Sequence, residues 1–324
     1  MTGTTLDRVS SDITVFSGSA HPAFADEVCQ ILDVDLSPAR TQRFSNDCLQ
    51  VQLRDNCRKR DVFIVQPLVP PVQENLVELL LMLDAARGAS AAHITAVIPH
   101  YAYARSDKKD APRISIGARL VAQLLETSGA DRVVSMALHS PQVHGMFDIP
   151  VDHLDATKVL AGHFRKRDLS NTVVVSPDFG SAKLANQFSR ALDVPVAAGS
   201  KRRMSDDRVI IDAIVGDVAG KDVIILDDEI ATAGSILELT EKLREENVGR
   251  ISVACTHGLF TGPAAERLVS GGFDEIVTTN TVPSHVELPN VTTLSVAPLF
   301  AEAMRRINTG ESISSLFSDE VTYG

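Results

Sequence analysis

The stretch spanning residues 223–235 combines residue types that could bind a sugar phosphate. Its apolar beginning predicts a buried strand, and the carboxylates Asp227 and Asp228 follow where we expect that strand to end. Small and hydroxyl residues then lead into an apolar-periodic helix; this phosphate loop consists of Ala231, Thr232, Ala233, Gly234 and Ser235. Backbone N–H groups of small residues can close around a phosphate, and a helix N-terminus presents partial positive charge to it.

The two carboxylates add a second recognition element beside the phosphate loop. Asp227 and Asp228 could accept hydrogen bonds from sugar hydroxyls or hold a cation. A phosphate on one side and vicinal hydroxyls on the other together describe a ribose 5-phosphate. The alternative is an ordinary strand–turn–helix connection, because acidic residues are favoured near helix N-termini in any case.

Three adjacent cations, Lys201, Arg202 and Arg203, are expected in a loop between predicted elements. They suit a migrating and highly charged phosphate group, since Lys acts as a mobile point charge and Arg as a planar fork for phosphate oxygens. The flanking residues are mostly small or polar, as in loops that close over a substrate. A solvated surface loop is the alternative interpretation.

A possible metal site involves His139 and Asp178, each of which follows the end of a predicted strand. An imidazole and a carboxylate could hold Mg²⁺ directly or through water. Mg²⁺ keeps most of its waters and usually takes one or two protein ligands together with phosphates. Each residue could instead be a satisfied structural group.

A second cationic segment follows the predicted strand at residues 94–99 and the aromatic pair Tyr101 and Tyr103. It contains Arg105, Ser106 and Asp107. Cations beside aromatic rings suit a triphosphate next to a purine ring, although a plain surface loop has the same composition. Elsewhere, Phe44 lies among polar neighbours that include Asn46, and it could be either an adenine platform or a core residue.

Apolar, β-branched runs alternate with helical patterns along the whole chain. We predict strands at residues 13–16, 62–66, 94–99, 133–138, 173–176, 209–215, 223–226, 251–256, 276–279 and 293–296. We predict helices at residues 22–32, 75–87, 116–127, 157–165, 183–192, 236–246, 263–269 and 299–308. This alternation indicates an α/β protein with mostly parallel sheets, in which ligands bind beyond the carboxyl ends of the strands. A boundary near residues 150–155 would give domains of residues 1–150 and 151–324.

Composition narrows the function classes. With 324 residues the chain can form two domains, and its net charge of −11 argues against binding to nucleic acid or to an anionic membrane. No spacing among the four cysteines suits zinc or a redox pair, so we expect reduced thiols and a cytoplasmic protein. The first residues lack the apolar core of a signal peptide, and the longest apolar run is too short and too charged to span a bilayer.

Taken in order, these motifs resemble those of the ribose-phosphate pyrophosphokinases, also called phosphoribosyl pyrophosphate (PRPP) synthetases. The likeness covers roughly residues 13–317. It rests on Arg43-Phe44-Ser45, Phe63-Ile64-Val65-Gln66, Asn75-Leu76-Val77-Glu78-Leu79, Ile94-Thr95-Ala96-Val97-Ile98-Pro99, Tyr103-Ala104-Arg105, Leu138-His139-Ser140-Pro141-Gln142, Val174-Val175-Ser176-Pro177-Asp178, Lys201-Arg202-Arg203, Gly216-Asp217-Val218-Ala219-Gly220 and Asp227-Asp228. Each stretch is weak alone, and their shared order makes chance agreement improbable.

The resemblance implies two phosphoribosyltransferase-type domains, each a mostly parallel sheet flanked by helices. It implies transfer of the diphosphoryl group of ATP to ribose 5-phosphate with Mg²⁺, in a hexamer. Asp227 and Asp228 would hold the ribose hydroxyls, and residues 231–235 the 5-phosphate. Lys201 and Arg203 would stabilise the migrating group, and His139 and Asp178 would position Mg²⁺. ATP would contact Phe44 of a neighbouring subunit and the residues Asn46, Arg105, Ser106, Asp107 and His139.

Several positions depart from the family pattern. The usual acids are absent at Asn46, Cys48, Ala137 and Ala231, and Ser106 also differs from the usual residue. Three interpretations follow: an active but divergent synthetase, a non-catalytic homologue that modulates an active synthetase, or a phosphoribosyltransferase sharing only the phosphate loop. The retained His139 and Asp178 favour the first. Activity with ATP and ribose 5-phosphate separates the first two, and base-dependent PRPP consumption would mark the third.

Overall fold

The computed structural model describes residues 13–203 and 209–316, which form two compact units. The first takes in the described residues up to Asp155, with Thr281–Pro283 and the described residues from Val296 onward. The second comprises the described part of Ala156–Asn280 together with Ser284–Ser295.

The first unit is built on a six-stranded parallel sheet. Its strand order is β2-β1-β5-β6-β7-β8. The strands are β1 (Ile13–Ser17), β2 (Leu36–Ser37), β5 (Asp61–Val65), β6 (His93–Ile98), β7 (Arg132–Met136) and β8 (Val151–Leu154). The unit's helices are α1 (Pro22–Leu32), α2 (Val72–Gly88), α3 (Gly117–Ser128) and α8 (Ala297–Thr309). An antiparallel hairpin of β3 (Ala39–Arg43) and β4 (Leu49–Leu53) packs on α2.

The second unit contains a seven-stranded sheet of order β11-β10-β9-β12-β13-β14-β15, in which only the β10–β11 pair is antiparallel. The strands are β9 (Thr172–Ser176), β10 (Val196–Arg203), β11 (Val209–Val215), β12 (Asp222–Ile230), β13 (Ile251–Gly258), β14 (Glu275–Thr279) and β15 (Val291–Leu294). The helices are α4 (Thr157–Phe164), α5 (Ala182–Leu192), α6 (Gly234–Glu245) and α7 (Ala264–Ser270).

Apolar runs in the sequence become the cores of both units. In the first, Ile64 of β5 packs in one cluster with Leu79 and Leu83 of α2. In the second, Val175 of β9 shares a cluster with Ile225 of β12. Strands covered on both faces read as continuous apolar runs, which explains why sequence patterning located them.

The α/β class with mostly parallel sheets is confirmed, and every predicted helix has a counterpart in the structure. Five strands were missed: β2, β3, β4, β8 and β10. They are short, or they carry polar and charged residues, as in Ala-Arg-Thr-Gln-Arg of β3. Such strands are specified by the partner they pair with and give a weak local signal.

The two compact units have other limits than the domains expected at residues 1–150 and 151–324. Strand β8 pairs with β7 and therefore belongs to the first unit. Helix α8 also belongs there, since Phe24 of α1 and Phe300 of α8 form an edge-to-face pair with ring centroids 5.3 Å apart. None of the described helices is long and apolar enough to cross a membrane.

Candidate active site

Strand β12 carries the acidic pair, and it is longer than the sequence predicted. It continues to Ile230, so Asp227 and Asp228 lie inside the strand and do not follow its end. The reason is pairing with β13, which continues through Asp227 opposite Cys255 and Glu229 opposite His257. Because side chains alternate along a strand, Asp227 shares a face with Glu229, and Asp228 belongs to the opposite face. Asp228 is only 7% exposed, whereas Asp227 is half-buried.

The phosphate loop connects β12 to α6, and its backbone has a defined form. Ala233 has a left-handed conformation with φ of 59°, and α6 begins at Gly234. No described side chain caps this helix, and its first intrahelical bond to the loop runs from Leu237 N to Ala233 O, at 3.1 Å. The first-turn N–H groups of a helix have no intrahelical partner and are available to an anion. This arrangement fits the expected phosphate site.

Asp178 follows the end of β9, the strand that neighbours β12 in the second sheet. Strand β9 pairs with β12 and places Val175 opposite Ile225. Asp178 lies three residues after Val175, and Asp228 lies three residues after Ile225. The Asp178 Oδ1 atom accepts a hydrogen bond from Ser181 N at 3.0 Å, at the entrance to α5. Asp178 and the pair Asp227 and Asp228, which sequence reasoning selected separately, therefore lie at or beyond the same end of two neighbouring strands.

The residues present fit a weakly coordinated cation better than a dedicated metal cage. Among residues 13–203 and 209–316, no group of three or more His, Cys, Asp or Glu residues has an arrangement that could hold a metal ion. Mg²⁺ does not require one, since it is usually bound through one or two carboxylates and substrate phosphates. Asp178 could provide such a contact.

The sequence suggested that the basic triplet lies in a loop, and this prediction was wrong. Lys201, Arg202 and Arg203 form the end of β10, where Lys201 pairs with Ile211 and Arg203 with Val209 of β11. Antiparallel pairing supplies the backbone hydrogen bonds that a loop would have to find elsewhere. The expected flank at residues 204–207 lies outside the described residues. Strand β10 is the neighbour of β9, which carries Asp178 beyond its end.

In the first unit, Arg105 ends a short 3₁₀ turn, Ala102–Arg105, and Ser106 supports the next helix. The Ser106 Oγ atom accepts a hydrogen bond from Gly117 N at 2.9 Å, at the start of α3. Tyr101 is a core residue, only 3% exposed, and its hydroxyl donates to Ala118 O at 2.9 Å. Burial raises the pKa of this hydroxyl. Tyr101 is therefore excluded as a platform for a purine ring. Asp107 forms no side-chain hydrogen bond with the part of the chain that the structure describes.

Phe44 occupies the tip of the β3–β4 hairpin and is 43% exposed, so it is not a core residue. The turn is closed by bonds from Phe44 N to Cys48 O at 2.9 Å and from Cys48 N to Asn46 Oδ1 at 3.2 Å. Asn46 therefore stabilises the turn that presents Phe44. An exposed aromatic ring on a braced turn is available to a ligand or to another subunit.

The base of this hairpin is anchored by Glu78 of α2, a residue that sequence reasoning did not select. Glu78 is 1% exposed, and Thr41 Oγ1 of β3 donates to its Oε1 atom at 2.5 Å. Its Oε2 atom accepts from Ser19 Oγ at 2.6 Å and from Gln66 Nε2 at 2.7 Å. The available signal was an acid with apolar neighbours on both sides, Val77 and Leu79, in α2. A carboxylate that is buried in such a helix requires several hydrogen-bond donors.

His139 is exposed on the segment that follows β7, two residues after a strained position. Ala137, where the family usually has an acid, adopts a left-handed φ of 45°, and its N–H donates to Leu154 O at 3.0 Å. Leu138 N donates to His153 Nε2 at 2.8 Å. Burial lowers the pKa of His153, which favours the neutral ring needed as an acceptor. The two hydrogen bonds from Ala137 N and Leu138 N fix the backbone directly before His139.

The conformation of Ala137 predicts how substitutions there affect stability. Asp is several-fold enriched at positive φ, whereas a β-branched residue there is a strong outlier. We expect Ala137→Val to lower the free energy of unfolding by about 1–3 kcal/mol, and Ala137→Asp to change it by less. Urea unfolding of the two variants measures the difference. Equal stability of both variants would contradict the left-handed conformation.

Comparison with known proteins identifies the family. Residues 13–129 match the model of the N-terminal domain of ribose phosphate pyrophosphokinase, and residues 209–318 match that of the phosphoribosyl synthetase-associated domain. A Streptomyces coelicolor protein named "Putative ribose-phosphate pyrophosphokinase" is 62% identical, over 94% of this chain and 98% of its own. Ribose-phosphate pyrophosphokinase of Deinococcus radiodurans is 49% identical, over 95% and 98%.

A solved structure agrees with these sequence relatives. Phosphoribosylpyrophosphate synthetase from Mycobacterium smegmatis superposes with a TM-score of 0.88 at 40% identity, covering 92% of this chain and 99% of that one. The resemblance expected from the ordered motifs is therefore confirmed over nearly the whole chain. On this combined evidence, the chain belongs to the ribose-phosphate pyrophosphokinase family.

Proposed function

We propose that this chain transfers the diphosphoryl group of ATP to the O1 hydroxyl of ribose 5-phosphate, forming PRPP and AMP. The proposal rests on the arrangement of residues at the end of strands β9 and β12 in the second sheet. There the phosphate loop leads into the N-terminus of α6, Asp227 lies on β12, and Asp178 follows the end of the neighbouring strand β9. A phosphate site beside carboxylates suits a phosphorylated sugar.

Ribose 5-phosphate binds with its phosphate in the loop of residues 231–235 and its hydroxyls toward the acidic pair. Strand geometry favours Asp227 and Glu229 as one recognition face, with Asp228 on the other. Glu229 thus joins the residues expected to contact the sugar. At Ala231 this chain lacks the family's usual third acid, and the sugar contacts rely on the remaining carboxylates.

ATP contacts Phe44 and Asn46 of a neighbouring subunit's hairpin, and Arg105, Ser106, Asp107 and His139. Exposure of Phe44 at a braced turn supports its role in stacking on adenine. The bond from Gly117 N to Ser106 Oγ supports a positioning role for Ser106, which orders the segment after Arg105. We further propose a homohexamer, as in the resemblance, so that each hairpin reaches an adjacent site.

In the transfer, a bond forms between ribose O1 and the β-phosphorus of ATP. The bond between the β-phosphorus and the oxygen that bridges it to the α-phosphorus breaks. AMP leaves with the electron pair, and the O1 hydroxyl loses its proton. Lys201 and Arg203 stabilise the charge on the moving group, because such transfers depend on positioning and electrostatic stabilisation. Bound Mg²⁺ would neutralise phosphate charge, and Asp178 and His139 are the residues we propose to contact it. We place the protein in the cytoplasm, which its unpaired thiols support.

The direct test is turnover by the purified chain with ATP, ribose 5-phosphate and Mg²⁺, following AMP and PRPP together. We expect equal amounts of both products, and no AMP when ribose 5-phosphate is omitted. Absence of turnover over a range of Mg²⁺ and phosphate would contradict the proposal. If such a protein altered an active synthetase on mixing, a regulatory role would replace it.

Asp178→Ala tests the assignment of Mg²⁺ contacts. We expect lower turnover and an increase of about tenfold or more in the Mg²⁺ concentration that gives half-maximal activity. Asp168 offers a matched control, since its Oδ1 atom also accepts a backbone hydrogen bond, from Ser170 N at 3.0 Å, but it precedes β9. Asp168→Ala should leave the Mg²⁺ dependence unchanged. Equal effects of the two substitutions would remove Asp178 from the proposed metal contacts.

A further inference from the structure

Residues 260–267, which include part of α7, bind three consecutive carbonyl groups at the end of β12 and the start of the phosphate loop. Phe260 N donates to Ile230 O at 3.1 Å, and Thr261 N donates to Ala231 O at 2.8 Å. The third bond comes from a side chain, because Arg267 Nη1 donates to Thr232 O at 2.9 Å. Residues 230–232 are therefore fixed from one side by residues 260–267.

Fixing these carbonyls also fixes the neighbouring N–H groups. In a trans peptide the C=O of one residue and the N–H of the next point in opposite directions. With the carbonyl of Thr232 held toward Arg267, the N–H of Ala233 is directed away from it. The same relation applies to the N–H groups of Ala231 and Thr232. A row of N–H groups directed to one side is the form of a backbone anion site.

Arg267 differs from the other two donors because a side chain is free to adopt many rotamers. It is half-buried on α7, and its only side-chain hydrogen bond to the described residues is the one to Thr232 O. None of the described carboxylates lies within ion-pair distance of it. A Cβ atom built at Gly234 would lie 3.4 Å from Arg267 Nη1, so the guanidinium borders the start of α6. A half-buried cation that forms no ion pair with the described residues thus adjoins the proposed phosphate site.

We propose that Arg267 is a positioning residue for the 5-phosphate: it holds the Thr232–Ala233 peptide so that the Ala233 N–H faces the ligand. The proposal rests on the assignment of ribose 5-phosphate to residues 231–235. The sequence motifs did not identify Arg267 as a site residue, because it is 35 residues from Thr232 in sequence. Its contribution should appear in ground-state binding of the sugar phosphate, because the phosphate does not change charge during transfer.

The test compares Arg267→Ala, Arg267→Gln and Arg267→Lys with Arg244→Ala. Arg244 is a matched control, since it also joins α6 to the α7 region through an Arg–carbonyl bond, to Gly271 O, but away from the phosphate loop. Affinity for ribose 5-phosphate is measured by calorimetry, and KM and kcat are measured for both substrates.

We expect Arg267→Ala to raise the Kd and KM for ribose 5-phosphate about 10-fold or more, with kcat and the KM for ATP changed much less. Arg267→Gln and Arg267→Lys keep a donor and should recover part of the affinity. Arg244→Ala should bind ribose 5-phosphate as the wild type does.

Unchanged sugar-phosphate affinity in Arg267→Ala would overturn the positioning role, as would an equal loss in Arg244→Ala. If Arg267→Ala does not fold, the Gln and Lys variants decide the question by the same affinities. The proposed function is tested separately by the wild-type chain. Wild-type binding and turnover with an unaffected Arg267→Ala would contradict only this inference, whereas a wild type that does not bind ribose 5-phosphate would contradict the function itself.

Discussion

Replacing Lys201 or Arg203 by Ala is expected to lower kcat by about 10²-fold or more, with a much smaller rise in KM. The proposed reason is that negative charge is redistributed as the diphosphoryl group moves between ATP and ribose O1. A cation that interacts more strongly with the moving group than with the bound substrates acts on the transition state. Steady-state kinetics with both substrates varied give the two constants separately.

Strand β10 offers an internal control for this prediction. Lys201, Arg202 and Arg203 pair with Ile211, Ile210 and Val209 of β11, so Arg202 holds the alternate register position between the two other cations. We expect Arg202→Ala to keep kcat near the wild-type value. A near-normal kcat in Lys201→Ala and Arg203→Ala would show that the triplet serves only the strand and its solvation. Equal losses in all three variants would indicate a general electrostatic effect.

The second large effect is expected from Gly234→Val, which should abolish ribose 5-phosphate binding and largely preserve nucleotide binding. Gly234 is the first residue of α6, and an added Cβ would lie 3.4 Å from Arg267 Nη1 and 3.9 Å from Thr232 Oγ1. A single methyl group is therefore accommodated. The branched Val side chain, however, would occupy the space through which a phosphate approaches the backbone N–H groups.

Calorimetric titrations with each ligand measure the effect of Gly234→Val. Gly162→Val provides a control within the same unit, because an added Cβ in α4 meets nothing within 4 Å. We expect this control to bind ribose 5-phosphate normally and Gly234→Ala to be intermediate. Unchanged affinity in Gly234→Val would refute the assignment of the phosphate to residues 231–235.

These two variants also separate the proposed steps of the reaction. Gly234→Val removes ground-state binding of one substrate, whereas Lys201→Ala and Arg203→Ala leave binding intact and slow the transfer. Arg267→Ala should resemble a weaker form of Gly234→Val, because it disturbs the orientation of the loop without filling it. The order of these effects on ribose 5-phosphate affinity is therefore a joint test of the proposed site.

The Asp178 and Ala137 variants address the departures from the family pattern. Ala137 lacks the usual carboxylate, and its left-handed backbone would tolerate an Asp. Asp178 is retained, and it supplies a carboxylate just beyond the end of β9. The missing acid is therefore compatible with an enzyme that relies on substrate phosphates to hold its cation.

The sequence determined the parts of this protein that depend on local pattern. Helix α1 was predicted with the observed limits, because Pro22 suits the first helical turn and the apolar spacing persists to Leu32. Most of the parallel strands were located because both of their faces are buried, whereas the short parallel strands β2 and β8 were missed. The ordered motifs identified the family. Asp178, Asp227 and the phosphate loop were selected because acids and small residues next to a predicted apolar strand are informative without coordinates.

Tertiary structure alone decided which residues are adjacent across the sheet. Pairing with β13 kept Asp227 and Asp228 inside β12 and separated their faces, and pairing with β11 turned the expected basic loop into part of β10. The burial of Tyr101 and the exposure of Phe44 followed from packing that no local pattern specifies. Arg267 reaches Thr232, and Glu78 reaches Thr41, across 35 and 37 residues of sequence. Such contacts depend on where the fold brings distant segments together, and a single sequence carries no local signal of them.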